Sequence, residues 1–273
     1  MHHPSRLSFQ DPAWTWTLRS MAVAFGIAVL LAVIPGASRG LFIPLNDALV
    51  FPNSEAFWSG ITLYADTWLT LALILPVVLL KPRIAPLLFY AALLATLMTH
   101  SLKPLLDMPR PPAVLDSEQF HLIGSSISSK SFPSGHTVSA FVFAGLMIMA
   151  FARRPVVLVL SLVFAALMGL SRIAVGIHWP VDVAAGAFIG LLAVLLADAL
   201  IKKYPKIARG RGWQPVAVVI TAACGLSAPW ASLGYPQGSW AAISVFILAV
   251  VCIFILLFWY FSRTKLNQDG QHP

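Results

Sequence analysis

The chain has 273 residues, 59% of them hydrophobic and 10% charged, with a net charge of +8. A soluble domain carries about 25% charged residues, so this composition, with its mean hydropathy of +0.83, excludes an ordinary soluble globular domain and places the chain in the membrane class. The positive balance does not point to nucleic acid, because basic residues on a membrane protein mark its cytoplasmic loops. Nor do Cys224 and Cys252 suggest a metal or redox site, since each sits in an apolar run without suitable spacing.

A helix needs about 20 apolar residues to cross the hydrocarbon core. Runs near 19–36, 63–80, 84–102, 137–152, 155–173, 181–201, 214–231 and 240–261 approach or meet that length. They predict an all-α polytopic transmembrane bundle of about eight spans. The first run opens near Arg19 and reads as an uncleaved helix, not a signal peptide. Segment 37–60 mixes apolar residues with Asn46, Asp47, Asn53, Ser54 and Glu55, and reads as a short interfacial helix and turn. Asp66 and Thr67 stand at the start of the second span, where a helix cap is the default role and a headgroup contact the alternative.

After the third run comes the first polar block, Lys103-Pro104-Leu105-Leu106-Asp107-Met108-Pro109-Arg110-Pro111. Its prolines stiffen a loop carrying two cations. Arg presents a planar fork of donors suited to phosphate oxygens and Lys a point charge. Taken alone, the block fits cations snorkelling toward lipid headgroups at least as well. The loop 112–130 is long, polar and partly Ser-rich, and reads as a lid, a headgroup selector or a plain connection. His100 and His121, near the blocks, read as structural or solvated histidines.

The second block, Ser131-Phe132-Pro133-Ser134-Gly135-His136-Thr137, opens the fourth helix. Ser134 suits an N-cap, and Gly135 lets other groups approach the backbone closely. Exposed N–H groups at a helix start attract anions, and His136 titrates near neutral pH. The third block runs from Ser171 and Arg172 through Gly176, His178, Trp179 and Pro180 to Asp182. Pro180 fits a first helical turn. Asp182, four residues beyond His178, can reach back to its imidazole, and such a pair fixes the tautomer and raises the basicity of the far nitrogen. On the helix that follows, Gly186 and Gly190 make a small-xxx-small pair suited to close helix packing.

Orientation follows from the cations. With a cytoplasmic N-terminus, 13 of the 18 Lys and Arg fall on inner segments: Arg6, Arg19, Lys81, Arg83, Arg153, Arg154, Lys202, Lys203, Lys206, Arg209, Arg211, Arg263 and Lys265. Arg39, Lys103, Arg110, Lys130 and Arg172 fall on outer segments. The positive-inside rule then predicts both termini in the cytoplasm and all three polar blocks on the outer face. Trp14, Trp16, Trp230, Trp240 and Trp259 sit where interfacial anchors belong.

Together the blocks supply three cations, two histidines, an orienting carboxylate and a helix N-terminus. That set suits phosphoryl transfer: cations and N–H groups hold the equatorial oxygens, one histidine attacks, and the other protonates the leaving oxygen. A metallophosphatase would need carboxylate or histidine ligands grouped around each metal. Here the outer carboxylates Asp107, Asp116, Glu118 and Asp182 are few and three cations would repel a divalent ion. The sequence predicts no metal and no cofactor.

The blocks resemble the signature of the type 2 phosphatidic acid phosphatase superfamily: Lys-x6-Arg-Pro, then Pro-Ser-Gly-His, then Ser-Arg-x5-His-x3-Asp. Every fixed position is met, in order, and the resemblance covers roughly residues 60–200. It implies that His178 is the nucleophile that becomes phosphohistidine, Asp182 its orienting partner and His136 the general acid. It further implies a phosphate cradle of Lys103, Arg110, Ser134, Gly135 and Arg172, in a six-helix phosphatase core. The expected organisation is an N-terminal span and interfacial segment over 1–60, the core over 61–205, and two additional C-terminal spans with a tail over 206–273.

The expected activity is metal-independent hydrolysis of a lipid phosphate monoester or diphosphate at the outer face of a cytoplasmic membrane. Candidate substrates are undecaprenyl diphosphate, phosphatidylglycerol phosphate, phosphatidic acid and a lipid A-type glycolipid, with polyprenyl diphosphate favoured by family analogy. A lipid phosphotransferase using the same intermediate and a non-catalytic lipid transporter or binding protein are the alternatives.

Overall fold

The computed structural model describes residues 12–231 and 234–269. Arg6, counted among the inner cations, lies outside them, as do the side chains of Arg263 and Lys265. Eleven α-helices order this part of the chain: α1 Pro12–Val33, α2 Ala37–Ala48, α3 Ser54–Tyr64, α4 Thr67–Leu73, α5 Leu75–Leu80, α6 Ile84–Leu106, α7 Gly135–Phe151, α8 Pro155–Ala174, α9 Pro180–Lys203, α10 Trp213–Ser227 and α11 Ser239–Asp269. No strand occurs among the described residues, and the all-α expectation holds.

Among the described residues five stretches are long and apolar enough to cross a membrane, or six if α3 and the α4–α5 stretch, bent by 71° at their junction, form one broken span. About eight were expected. Two of the predicted runs form shorter helices, α7 with 17 residues and α10 with 15. Local chemistry sets those lengths. Ser134 caps α7 at its start, and Arg153-Arg154-Pro155 follows its last turn. Pro229 closes α10 into a 3-10 turn.

Segment 37–60 holds α2 and the start of α3, and in α3 Trp58, Ser59, Gly60, Ile61, Thr62 and Leu63 are all buried against the rest of the protein. The helix ends because Asp66 turns the chain, its carboxylate accepting the Trp68 N–H at 2.8 Å to cap α4. Asn46, read as an interfacial polar residue, is fully buried. Its amide donates to the carbonyls of Ile173, Ala174 and His121 at 2.9, 3.2 and 3.1 Å, and its Oδ1 accepts the His121 N–H at 2.7 Å. One side chain thereby pins α2 to the end of α8 and to the loop 112–130.

Lipid tails are as apolar as leucine, so membrane helices associate through close packing. The central contact, α7 against α9, obeys this. A Cβ at Gly186 would lie 2.8 Å from the Ser134 carbonyl, and one at Gly190 would lie 2.6 Å from that of Val138. The backbones meet because both positions lack a side chain. Around this contact α6, α7 and α9 share a core that includes Ala91, Ala95, Val142, Leu146, Ala193 and Val194. At the other end of α9, Asp198 accepts from Trp14 Nε1 at 2.5 Å and pairs with Lys202 at 2.8 Å, docking α1. Cys224 and Cys252 are buried core residues.

Gly186→Val should push α7 from α9 and destabilise the fold by about 1–3 kcal/mol, as overpacking does. A lowered thermal midpoint of the detergent-solubilised protein checks this.

Candidate active site

The three polar blocks, far apart in sequence, meet at one end of the α6–α7–α8–α9 bundle. Each is placed by local chemistry. Ser134 caps α7, its Oγ accepting from the Thr137 hydroxyl at 2.9 Å and the Thr137 N–H at 3.5 Å. The Ser134 N–H donates to the Asp182 carbonyl at 3.1 Å, which joins the start of α7 to the first turn of α9. Arg172 ends α8 and is buried. Gly176, at φ +82°, makes the turn from α8 to His178, and a Cβ there would lie 2.5 Å from the His121 carbonyl. Trp179 Nε1 donates to the Pro109 carbonyl at 2.8 Å, tying the third block to the first.

Asp182 is completely buried, and its Oδ2 accepts three donors: the Ser131 hydroxyl at 2.5 Å, the Trp179 N–H at 2.9 Å and His178 Nδ1 at 3.2 Å. On the other edge of the imidazole, Arg110 Nη1 donates to His178 Nε2 at 3.1 Å. A carboxylate only accepts and a guanidinium only donates. The two neighbours therefore demand the same tautomer, with the proton on Nδ1 and the lone pair on Nε2. Burial, reinforced by the charges of Arg110, Arg172 and Lys103, pushes the His178 pKa well below its ordinary value. The imidazole is therefore neutral near pH 7, with an unprotonated Nε2 whose electron pair faces Arg110.

The cations converge as predicted. Arg110 donates through Nε to the Ser129 carbonyl at 2.9 Å and through Nη1 to that of Ile177 at 3.2 Å, with Nη2 3.5 Å from the Lys130 carbonyl. Lys103 Nζ donates to the same Lys130 carbonyl at 2.9 Å. The end of the 112–130 loop thus holds both side chains. That loop is itself anchored, with Arg110 N–H on the Ser128 carbonyl, Ser131 N–H on the Met108 carbonyl and Ile123 N–H on the Val175 carbonyl. Arg172 donates through Nη1 to the Thr62 hydroxyl, while its buried Nε has no partner among the described residues.

His136 stands one residue inside α7, with Nε2 3.8 Å from Asp66 Oδ2 and both side chains part-exposed. Beside it a cavity of about 180 Å³ opens between α4, α6 and α7, with Thr67, Thr99, Gly135 and Ser139 in its wall. A Cβ at Gly135 would meet only Thr99 Cγ2, at 3.9 Å. Protein packing does not require this glycine; its bareness leaves the α7 N-terminus open toward the cavity. His100 bonds the Thr96 carbonyl and His121 lies 3.6 Å from Asp47, so both have local roles. Among the described residues no group of three or more His, Cys, Asp or Glu is placed to hold a metal ion.

Contacts join the first block, Ser134 and the His178–Asp182 pair, and Arg172 and His136 lie near enough to act on His178 through their charge. Sequence reasoning missed three contributors. Ser131 lay within a quoted block and received no role. Asp66 was read as a cap, which it is, but it also faces His136; a carboxylate interrupting an apolar run was the available signal. Thr62 carried no signal, because its place opposite Arg172 depends on how α3 packs.

Residues 85–205 match the model of the PAP2 superfamily. The chain is 48% identical over 65 residues to the bacitracin transport permease protein BcrC of Bacillus licheniformis, covering 24% of this chain and 30% of that protein. It is 31% identical over 111 residues to a lipid A 1-phosphatase of Rhizobium johnstonii, covering 40% of this chain and 44% of that one. The chain thus aligns with less than half the length of these curated relatives. Among solved structures, that of Aquifex aeolicus LpxE superposes with a TM-score of 0.54 at 26% identity, covering 59% of this chain and 93% of that chain.

Two outcomes follow from the Asp182–His178 geometry. Ser131→Ala removes a donor to a buried carboxylate and should cost about 1.5–3 kcal/mol, read as a lowered unfolding midpoint. Because the folded His178 pKa lies below the unfolded value of 6.5, the unfolded state binds the extra proton first. The His178 contribution to stability should therefore fall as pH drops through 6.5. In His178→Gln the pH dependence of the unfolding midpoint should be shallower there.

Proposed function

Residues 85–205 of this multi-pass membrane protein belong to the PAP2 superfamily, and on that premise we propose that it is a lipid phosphatase working through a phosphohistidine at His178. The observation that carries this reading is the fixed tautomer of His178: Nδ1–H on Asp182 and the Nε2 lone pair turned to Arg110.

In the proposed reaction Nε2 attacks phosphorus in line. The N–P bond forms as the bond to the leaving oxygen breaks, and that oxygen takes a proton from the His136 imidazolium. Lys103, Arg110, Arg172 and the Gly135 N–H, at the α7 start that Ser134 caps, hold the phosphoryl oxygens. Asp66, 3.8 Å away, would offset the charge of that imidazolium. In the second half, neutral His136 takes a proton from water, the resulting hydroxide attacks the phosphohistidine, and inorganic phosphate leaves with His178 restored. Asp182 holds the ring and balances the positive charge that builds on it. Charge neutralisation falls to three cations, so no step calls for a metal.

The substrate class is a lipid-linked phosphate monoester or diphosphate. The cavity beside His136 supports this, since its wall is mostly apolar and formed by helices of the bundle. The name of the lipid A 1-phosphatase relative is in keeping with it. Undecaprenyl diphosphate, phosphatidylglycerol phosphate, phosphatidic acid and lipid A-type phosphates are the candidates, with a polyprenyl diphosphate favoured. The Lys and Arg distribution supports a site on the outer face of a cytoplasmic membrane with both termini inside. Residues 61–205 would form the catalytic core.

The test is a phosphate-release panel over these lipids with purified protein and excess chelator. The wild type should turn over at least one of them. His178→Ala should lose at least about 1,000-fold, as removal of a nucleophile does, and His136→Ala about 100- to 10,000-fold, as for a general acid. Labelled phosphate should be trapped on the wild type as an acid-labile adduct. Normal turnover by His178→Ala would refute the nucleophile, and loss of activity with chelator would refute the metal-free mechanism.

A further inference from the structure

Arg172 is the one cradle cation held by side chains from outside the three blocks. Its Nη1 donates to the Thr62 hydroxyl of α3 and lies 3.5 Å from the Tyr235 hydroxyl. Its guanidinium also sits over the Tyr235 ring, 5.9 Å from the centroid. Tyr235 precedes a 3-10 turn, Pro236–Gly238, in the connection from α10 to α11, and this lies beyond the matched residues 85–205.

The placement of Tyr235 is built, not incidental. A Cβ at Gly238 would lie 2.5 Å from the Ser59 backbone, and one at Gly60 would lie inside the Trp240 ring. Trp240 Nε1 donates to the Ala56 carbonyl at 3.0 Å, and the Tyr64 and Ser244 hydroxyls are 2.6 Å apart. The connection is thereby locked to α3, the same helix that carries Thr62. On its other side Tyr235 abuts the 112–130 loop, where a Cβ at Gly124 would lie 2.7 Å from the ring. Thr62 and Tyr235 occupy one end of the guanidinium. The buried Nε, without a protein partner, is left as a donor. A fork held at one end presents its remaining donors in a fixed direction, which favours binding a tetrahedral oxyanion.

We propose that Tyr235 is a positioning residue for the phosphate site: with Thr62 it orients Arg172, so that the C-terminal helical hairpin completes the cradle. This rests on the phosphatase reading only for its catalytic consequence. Anion affinity tests it separately.

The experiment measures orthovanadate and inorganic phosphate affinity of the detergent-purified full chain, beside phosphate release from the lipid panel. Tyr235→Leu should weaken orthovanadate binding about tenfold and lower kcat in parallel, with little change in KM for the lipid. Tyr235→Phe keeps the ring under the guanidinium and should lose about two- to threefold, with an unchanged unfolding midpoint. In an Arg172→Ala background the Tyr235→Leu effect should vanish, because a residue acting only through Arg172 has nothing left to act on. Wild-type orthovanadate affinity in both Tyr235 variants would overturn the proposal, and so would an equal loss in the Arg172→Ala background. Should Tyr235→Leu fail to fold, the Tyr235→Phe comparison and its cycle with Arg172→Ala decide the matter. A protein that binds orthovanadate with this pattern and turns over no lipid would sink the phosphatase reading and leave the Tyr235 assignment standing.

Discussion

One carboxylate oxygen organises the site. Asp182 Oδ2 accepts from Ser131, Trp179 and His178 at once, and is fully removed from solvent. The three donors come from the end of the 112–130 loop, the start of α9 and the imidazole, so a single buried acceptor sets the relative positions of all three. The backbone of the same residue accepts the Ser134 N–H, adding the start of α7 to the junction. A buried carboxylate is costly unless its donors are in place, which makes the arrangement close to all-or-none.

The cations follow a different rule. Among the described residues, Lys103, Arg110 and Arg172 form no ion pair; their nearest acceptors are the carbonyls of Ser129, Lys130 and Ile177, His178 Nε2 and the hydroxyls of Thr62 and Tyr235. Neutral acceptors satisfy hydrogen-bonding geometry without cancelling charge. The positive potential therefore remains for an anion, and it reinforces the burial that keeps His178 neutral. The charge that would bind a phosphoryl group thus also favours the neutrality that would let His178 attack it.

Holding such a cluster at the end of a bundle requires helices that approach closely without much hydrophobic drive. Gly186 and Gly190 supply this between α7 and α9, and the α3–hairpin contact repeats the device with Gly60 and Gly238. Asn46 adds a polar staple between α2 and α8.

The sequence by itself determined the membrane class, the all-α fold, the three blocks and the residues within them, because hydropathy, cap chemistry and an i,i+4 His–Asp spacing are local properties. It also marked the Gly186–Gly190 packing face. It did not set the helix lengths in apolar runs such as 137–152 and 214–231, because hydropathy does not reveal where caps and prolines shorten a helix. It did not reveal how segment 37–60 packs, because the partners of a mixed segment, such as those of Asn46, lie far away in the chain. Only the tertiary structure decided that Asp66 faces His136, that Lys130 offers its carbonyl to two cations, and that Thr62 and Tyr235 hold Arg172. Those contacts join residues far apart in the chain, and their distances are set by helix packing, which no local pattern encodes.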